Sequence, residues 1–440
     1  MIPKLKTLDR RLWLLAWPLI LTNITVPLLG LVDTAVLGHL EDPQYLGAVA
    51  VGSNLFTVIY WTFSFMRMGT TGLAAQAFGR RDEFSQTALL VRSLLLALII
   101  GLLLIAFHSP IIRVGLYLMG ASEDVTELAS GYASIRIWSA PAVLCQYTLV
   151  GWLIGTQYPR GPMIMLIAAN AVNIVLDVLF VTGFGWNSQG VAVATVFAEY
   201  ICALIGLWLV WQRRPENAEF SREILGKLGD FLEILQVNRY IMVRTILLLF
   251  SLAFFTAQGA QQSDTILAAN AVLFTFLLLI SNGLDGFANG AEALVGEAVG
   301  QKDPDHFLAV CKTALRWSVI SAAVFTVIFM VAGGTIINLL TSIEPVNDTA
   351  RNYLPWIWAL PAIAVWSFLL DGIFIGATRT RDMQNAMIFS VLVVYLPVWW
   401  LTQELGNNGL WLAIMSLMLA RAVSMGWLFF RHTKSGRWFV

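Results

Sequence analysis

Three polar side chains share one face of a long apolar segment, where they could bind a small cation. Asn170, Asn173 and Asp177 are spaced at i, i+3 and i+7, which puts them on one side of an α-helix. Asp33 and Thr195 lie in other apolar segments at a similar predicted depth. Two carboxylates, an amide oxygen and a hydroxyl suit a hard monovalent cation such as sodium. In a low-dielectric setting the same carboxylates also gain affinity for protons, so the residues leave both ions open.

These residues also have structural interpretations. A charged side chain at the centre of a membrane span costs roughly 2.5–3.5 kcal/mol, so each one needs a reason to be there. Asp33 could be a helix-end residue at the membrane interface, and Asn173 could hold two helices together. The shared face of Asn170, Asn173 and Asp177 nevertheless favours a functional site.

Two further acids could line a substrate cavity. Asp285 and Asp371 are each followed by a glycine within an apolar segment. This pattern fits either a position that faces a cavity or one where helices pack closely. Glu292 lies nearer the predicted cytoplasmic end and is predicted to be a solvated or structural acid.

The elements that position these residues are predicted membrane spans. The chain is 58% hydrophobic and 12% charged, with a mean hydropathy of +0.74, which excludes a water-soluble domain of this length. A span needs about 20 mostly apolar residues. The sequence predicts twelve spans, near residues 12–37, 46–70, 87–110, 131–154, 161–183, 190–211, 239–259, 266–295, 308–340, 353–377, 384–402 and 409–430. The formal net charge of zero gives no indication of a nucleic-acid partner.

The spans form two copies of one arrangement. The stretch Phe56–Asp82 reappears as Leu277–Asp303, and Gly190 at the start of the sixth span corresponds to Gly409 at the start of the twelfth. Duplicated halves are typical of secondary transporters, because a substrate site can lie between two halves that rock against each other. The sequence therefore predicts an all-α polytopic membrane protein with twelve transmembrane helices in two six-helix lobes.

Lysine and arginine predict which way the chain faces. They accumulate before the first span, in the middle linker and at the end of the chain, whereas acidic residues dominate the loops on the other side. Both termini are therefore predicted to be cytoplasmic, with an N-lobe at 1–211, a cytoplasmic linker at 212–238 and a C-lobe at 239–440. Because each lobe has six spans, the lobes are predicted to be parallel repeats about a pseudo-two-fold axis along the membrane normal.

Two prolines interrupt the first predicted span. Pro18 and Pro27 each remove a backbone hydrogen bond, and Pro27 precedes Asp33 by less than two helical turns. Membrane helices tolerate such a defect where function needs a bend. A static kink is the alternative interpretation for either residue.

Several sequence motifs together resemble one transporter family. They are Pro27–Leu40, Thr70–Gly79, Asn173–Asp177, Leu284–Ala288 and Leu370–Arg379. The chain is similar over nearly its whole length to the multidrug and toxic compound extrusion (MATE) family, most closely to its bacterial DNA-damage-inducible (DinF) branch.

The resemblance implies a function and a site. It implies export of amphipathic, often cationic compounds across the bacterial inner membrane in exchange for protons or sodium ions, with the proton as the first choice. The family's cation site is matched here by Asp33, Asn173, Asp177 and Thr195, and its bending proline by Pro18. Another branch has an acidic site in the C-lobe, but the pattern around Asp371 differs, and that role is not transferred.

Two other function classes, a flippase and an intramembrane enzyme, fit the sequence less well. A flippase for lipid-linked precursors shares this helical plan, but such proteins usually carry additional spans or a cationic cavity, and the sequence shows neither. An intramembrane enzyme is disfavoured, because the sequence contains no His-Glu-x-x-His, Gly-x-Ser-x-Gly or phosphate-loop motif. We therefore expect a monomeric carrier without a cofactor, whose partners are small amphipathic molecules and the lipid bilayer.

Overall fold

The computed structural model describes residues 7–22, 43–120, 122–214, 224 and 228–439. The chain divides into an N-terminal unit, Leu21–Leu235, and a C-terminal unit, Met1–Ile20 together with Gln236–Val440. The contacts of residues 7–20 group them with the C-terminal unit, and the predicted bounds of the N-lobe, linker and C-lobe stay predictions.

The described residues of the first half of the chain form nine α-helices. Helix α1 covers residues 7–22. The others are α2 (Pro43–Thr62), α3 (Phe65–Gly79), α4 (Glu83–Ala106), α5 (His108–Met119), α6 (Glu123–Arg136), α7 (Ala140–Gly155), α8 (Arg160–Asp177) and α9 (Asn187–Arg213). A 3₁₀ turn at Ile137–Ser139 joins α6 to α7. Pro141, which has no backbone N–H, follows this turn and accounts for the local break.

The described residues of the second half form seven α-helices, and the first four have 35, 37, 37 and 33 residues. They are α10 (Leu228–Gln262), α11 (Asp264–Gly300), α12 (Pro304–Leu340), α13 (Glu344–Gly376), α14 (Thr380–Phe389), α15 (Leu396–Leu401) and α16 (Asn407–Ser435). Here Pro361, the counterpart of Pro141, lies inside the continuous helix α13.

Within the described part of the chain, eleven helices are long and apolar enough to cross a membrane. Three of these candidate spans are composite, since α2 with α3, α6 with α7 and α14 with α15 each belong to one span. The predicted first span, 12–37, lies mostly outside the described residues. Several helices extend beyond the predicted apolar runs, because the polar residues that flank these runs are also helical.

Pairs of glycines bring two helices into close contact in each unit. A Cβ atom added to Gly151 or Gly155 on α7 would lie 2.5 or 2.7 Å from a carbonyl oxygen of α3. Gly372 and Gly376 on α13 pack equally tightly against carbonyl groups of α11, where an added Cβ would come under 3.0 Å. Small residues four positions apart allow helix backbones to approach in this way. The close-packing interpretation of the Asp371-Gly372 pair thus applies to Gly372.

The duplication is visible in the backbone of the loops. Arg81 and Lys302 have positive φ angles of 57° and 55° at equivalent positions after α3 and α11. The next residues, Asp82 and Asp303, each accept a hydrogen bond of 2.9 Å from a backbone N–H of the following helix. The two loops therefore use the same helix end and the same N-cap.

The fifth span of each half contains a π-helical segment. These segments are Val178–Gly183, directly after α8, and Ser390–Tyr395, directly after α14. Such widened turns are uncommon and occur often at functional sites. Gln157 and Thr378, which precede these spans, also share a positive φ, at 60° and 52°.

Candidate functional site

The N-terminal unit brings three of the predicted cation-binding residues together. Asn173 and Asp177 lie one turn apart on α8, and both are fully buried, with exposed fractions of 1% and 0%. The Asn173 Nδ2 atom donates to the Oγ1 atom of Thr195 on α9 over 3.4 Å. The Thr195 hydroxyl donates in turn to the carbonyl oxygen of Val191 over 2.8 Å. The site is therefore built across the α8–α9 contact.

The Asn173 amide is oriented as a ligand group would be. Its nitrogen donates to Thr195, while its Oδ1 atom is buried without a hydrogen-bond partner among the described residues. A buried carbonyl oxygen without a donor costs about 1–3 kcal/mol, which a bound proton donor or metal ion would recover. Asp177 ends α8 where the π-helical segment begins, so its carboxylate lies at a defect in the helical ladder.

The remaining predicted residues are placed differently. Asn170 shares the face of α8 but is only half-buried. Asp33 and Pro27 lie outside the described residues, so their contributions stay predictions. Pro18 is buried within α1, and the helix continues past it to residue 22.

Asp371 belongs to a buried ion-pair cluster in the C-terminal unit. Its Oδ2 atom accepts hydrogen bonds from Arg244 and from Arg421, the latter at 2.6 Å. Asp371 is 6% exposed and Arg421 only 2%. Asp285 is half-buried and interacts electrostatically with Arg421. Two guanidinium groups thus bind the Asp371 carboxylate. The sequence analysis had left open whether this acid lines a substrate cavity.

The burial of Glu292 contradicts one of its two interpretations from the sequence, that of a solvated acid. Glu292 is 1% exposed, so the proposal of a solvated acid is wrong. It lies on α11, where the backbone is in close contact with Gly376 of α13.

The sequence interpretation overlooked a second polar cluster in the N-terminal unit. Arg136 donates to the Glu199 Oε1 atom over 3.2 Å, and Gln146 donates to the Glu199 Oε2 atom over 2.6 Å. Both charged residues lie inside predicted spans, 131–154 and 190–211, and Arg421 lies inside 409–430. A complete list of intramembrane charges would have found all three, because each one is costly in an apolar span.

Comparison with known proteins identifies the family. The MatE family model matches the chain twice, over residues 18–179 and 241–401. The two matches begin about half a chain length apart, in agreement with the sequence repeat.

Named relatives cover almost the whole chain. The DNA damage-inducible protein F of Escherichia coli (strain K12) is 44% identical over 439 residues, which cover 98% of this chain and 94% of the relative. A protein named probable multidrug resistance protein NorM, from Acinetobacter baylyi, is 24% identical and covers 92% of each chain. A crystal structure described as MATE in the bent conformation has a TM-score of 0.85 and 21% identity, covering 98% of both chains. This last likeness shows the fold.

Proposed function

Because this chain belongs to the MatE family of transporters, we propose that it is a secondary active exporter that moves amphipathic, often cationic compounds outward in exchange for inward-moving protons. Multidrug resistance is part of the name of the Acinetobacter relative, which supports small toxic compounds as the cargo. Sodium is the alternative coupling ion. The carrier acts as a monomer with twelve spans, the first of which includes Pro18 and Pro27.

The observation that carries this proposal is the buried group on α8 and α9. Asn173 and Asp177 are buried on the mostly apolar helix α8, and the Asn173 amide already contacts Thr195 on α9. A buried polar group of this kind is retained against its desolvation penalty when it binds something. Asp33 supplies the second carboxylate of the proposed site.

The proposed coupling follows from the electrostatics of two close acids. Two carboxylates in apolar surroundings resist ionising together, so Asp33 and Asp177 take up protons in coupled steps. Protonation removes negative charge and weakens polar contacts around Asn173 and Thr195. A cation gradient can then change the conformation of the N-terminal unit, provided that the proton binds one conformer more tightly than the other.

The test separates the two ions. The purified protein is reconstituted in proteoliposomes, and export of a fluorescent cationic drug is followed under an imposed proton gradient and, separately, an imposed sodium gradient. We expect export with the proton gradient alone. Export driven only by sodium would reassign the ion, and export under neither gradient would contradict the proposed function.

A further inference from the structure

The Arg136–Glu199 cluster lies next to the proposed cation site in the same unit. Glu199 follows Thr195 by four residues on α9, so both side chains project from one side of that helix, one turn apart. Asn173 and Asp177 have the same spacing on α8. Asn173 contacts Thr195 across the two packed helices, and Glu199 lies one turn beyond Thr195, at the end away from Asp177.

Glu199 is held on both oxygens. Arg136 contacts Oε1 at 3.2 Å, Gln146 contacts Oε2 at 2.6 Å, and the Gln146 amide also donates to the Glu199 backbone carbonyl over 2.8 Å. An amide group has both a donor and an acceptor. Gln146 can therefore serve an ionised Glu199 as a donor and a protonated Glu199 as an acceptor.

Arg136 keeps other partners if Glu199 is neutral. Its guanidinium also donates to Ser139, which lies 2.9 Å from the hydroxyl of Tyr60. The guanidinium lies 5.6 Å from the ring centroid of Tyr60 and 5.8 Å from that of Phe56. Cation–π contacts of this kind stabilise a guanidinium without a counterion. If Glu199 lost its charge, the Arg136 guanidinium would therefore still have stabilising contacts.

The Arg421–Asp371 ion pair of the same protein can be compared with the Arg136–Glu199 pair in distance and burial. Arg421 and Asp371 are 2.6 Å apart, with side chains 2% and 8% exposed. Arg136 and Glu199 are 3.2 Å apart, and the Glu199 side chain is 23% exposed. The Arg136–Glu199 pair is therefore longer than the Arg421–Asp371 pair, and protein encloses the Glu199 carboxylate less completely.

We propose that Glu199 is a second proton-carrying acid of this transporter, which exchanges its ion pair with Arg136 for a proton and extends the cation path from Thr195. The inference rests on the proposed proton-coupled export. When the proton binds the carboxylate, the pair changes from neutral to singly positive, and release of the proton restores the ion pair. In the proposed topology α9 runs inward, so Glu199 lies on the cytoplasmic side of Thr195 and would release its proton in that direction.

The groups that face Glu199 are few and are known by name. Arg136 comes from α6, Tyr60 from α2, Tyr147 from α7 and Cys202 from α9 itself. Tyr132 on α6 interacts with Tyr60 and Arg136, and Arg67 on α3 interacts with Tyr147. Tyrosine and cysteine have reference pKa values above neutrality and arginine is always charged, so Glu199 is the only carboxyl group among these residues.

The test compares proton release with transport. Purified protein in weakly buffered detergent solution is mixed with a cationic drug, and the protons released per bound drug are measured with a pH indicator. We expect Glu199→Gln to bind the drug, to release fewer protons than the parent protein, and to lose at least about tenfold in proton-driven export, the change that one pKa unit represents. Glu127→Gln, an exposed acid on α6, is the matched control and should behave as the parent does.

Two outcomes would overturn the inference. The first is a Glu199→Gln protein with the parent's proton release and pH profile, even if its thermal stability falls. The second is full recovery of both in the double variant Arg136→Gln/Glu199→Gln, since a neutral amide pair can replace a structural ion pair but cannot carry a proton. If the single variant misfolds, the same measurements are made on the double variant. Failure of the parent to export under any gradient would contradict the proposed function instead.

Discussion

At the scale of single residues, the N-terminal unit concentrates its polar chemistry on α8 and α9. Asn173 and Asp177 are the most deeply buried polar residues of α8, and burial penalises a charge on Asp177. Thr195 and Glu199 lie on the neighbouring helix α9. The proposed proton coupling of this unit therefore involves four side chains of two adjacent helices.

Replacing Asp177 by asparagine should stop coupling without disrupting the fold. The amide keeps the size and hydrogen-bonding capacity of the carboxylate but cannot bind a proton. We expect Asp177→Asn, and likewise Asp33→Asn, to insert normally and to lose proton-driven export in proteoliposomes. Asp264→Asn, at an exposed helix start, is the control and should export normally. Normal export by both site variants would remove these two acids from the mechanism.

At the scale of helices, each unit depends on a close glycine contact. Gly151 and Gly155 pack α7 on α3, as Gly372 and Gly376 pack α13 on α11. The contacts lie at backbone level, so no side-chain rotation can make room for an added methyl group. Backbone shifts must absorb the extra volume.

Gly151→Ala should destabilise the protein. The new Cβ would lie 2.5 Å from the carbonyl oxygen of Arg67, and overpacking of this kind typically costs about 1–3 kcal/mol. We expect a lower unfolding temperature in detergent, measured by tryptophan fluorescence. Gly426→Ala on α16 is the matched control, because an added Cβ there meets no atom of the described residues within 4 Å. Equal unfolding temperatures of the two variants would show that the α3–α7 contact is not critical.

Pro18→Ala tests whether α1 has to bend. Alanine restores the backbone N–H that proline lacks and so stiffens the helix. We expect the variant to bind the drug with nearly the parent's affinity but to export it more slowly, because bending belongs to the transport cycle rather than to binding. Drug binding by fluorescence anisotropy and export from proteoliposomes distinguish the two effects. An unchanged export rate would leave Pro18 as a static feature.

At the scale of the whole molecule, one proton is too little to drive a complete conformational change. A switch between populations of 1:99 and 99:1 needs about 5.5 kcal/mol of differential binding. A single acid whose pKa changes by one unit supplies about 1.4 kcal/mol. Asp33, Asp177 and Glu199 together, or an acid with the bound drug, come closer to the required amount. We therefore expect several weakly biased groups and mixed conformers near the working pH.

The orientation of the chain in the membrane is also testable. In a cysteine-free version, single cysteines are placed at Ser122 and Asp348 in the predicted outer loops and at Gly229 in the linker. Intact cells are treated with an impermeant thiol reagent. We expect labelling at the two loop positions and protection at Gly229 until the cells are opened, since both termini and the linker are proposed to be cytoplasmic. The reverse pattern would invert the topology.

The sequence alone indicated the class of the protein and all four residues of its proposed cation site. Apolar runs long enough to cross a bilayer are a local property, so eleven of the predicted spans are found among the described residues. The face of Asn173 and Asp177 follows from helical periodicity, and its burial was predictable for the same reason. The duplication was visible as repeated motifs, and the double match of the MatE family model agrees with it.

Only the tertiary structure decided which side chains meet. Asp371 pairs with Arg421 and Glu199 with Arg136, across separations of 50 and 63 residues. Hydropathy and periodicity describe each helix by itself, whereas the partner of a buried charge depends on how distant helices pack. The π-helical segment after Asp177 is also a tertiary result, because no local sequence rule distinguishes it from the α-helix that precedes it. Packing thus brings intramembrane charges that are isolated in the sequence into two ion-pair clusters, one around Asp371 and one around Glu199.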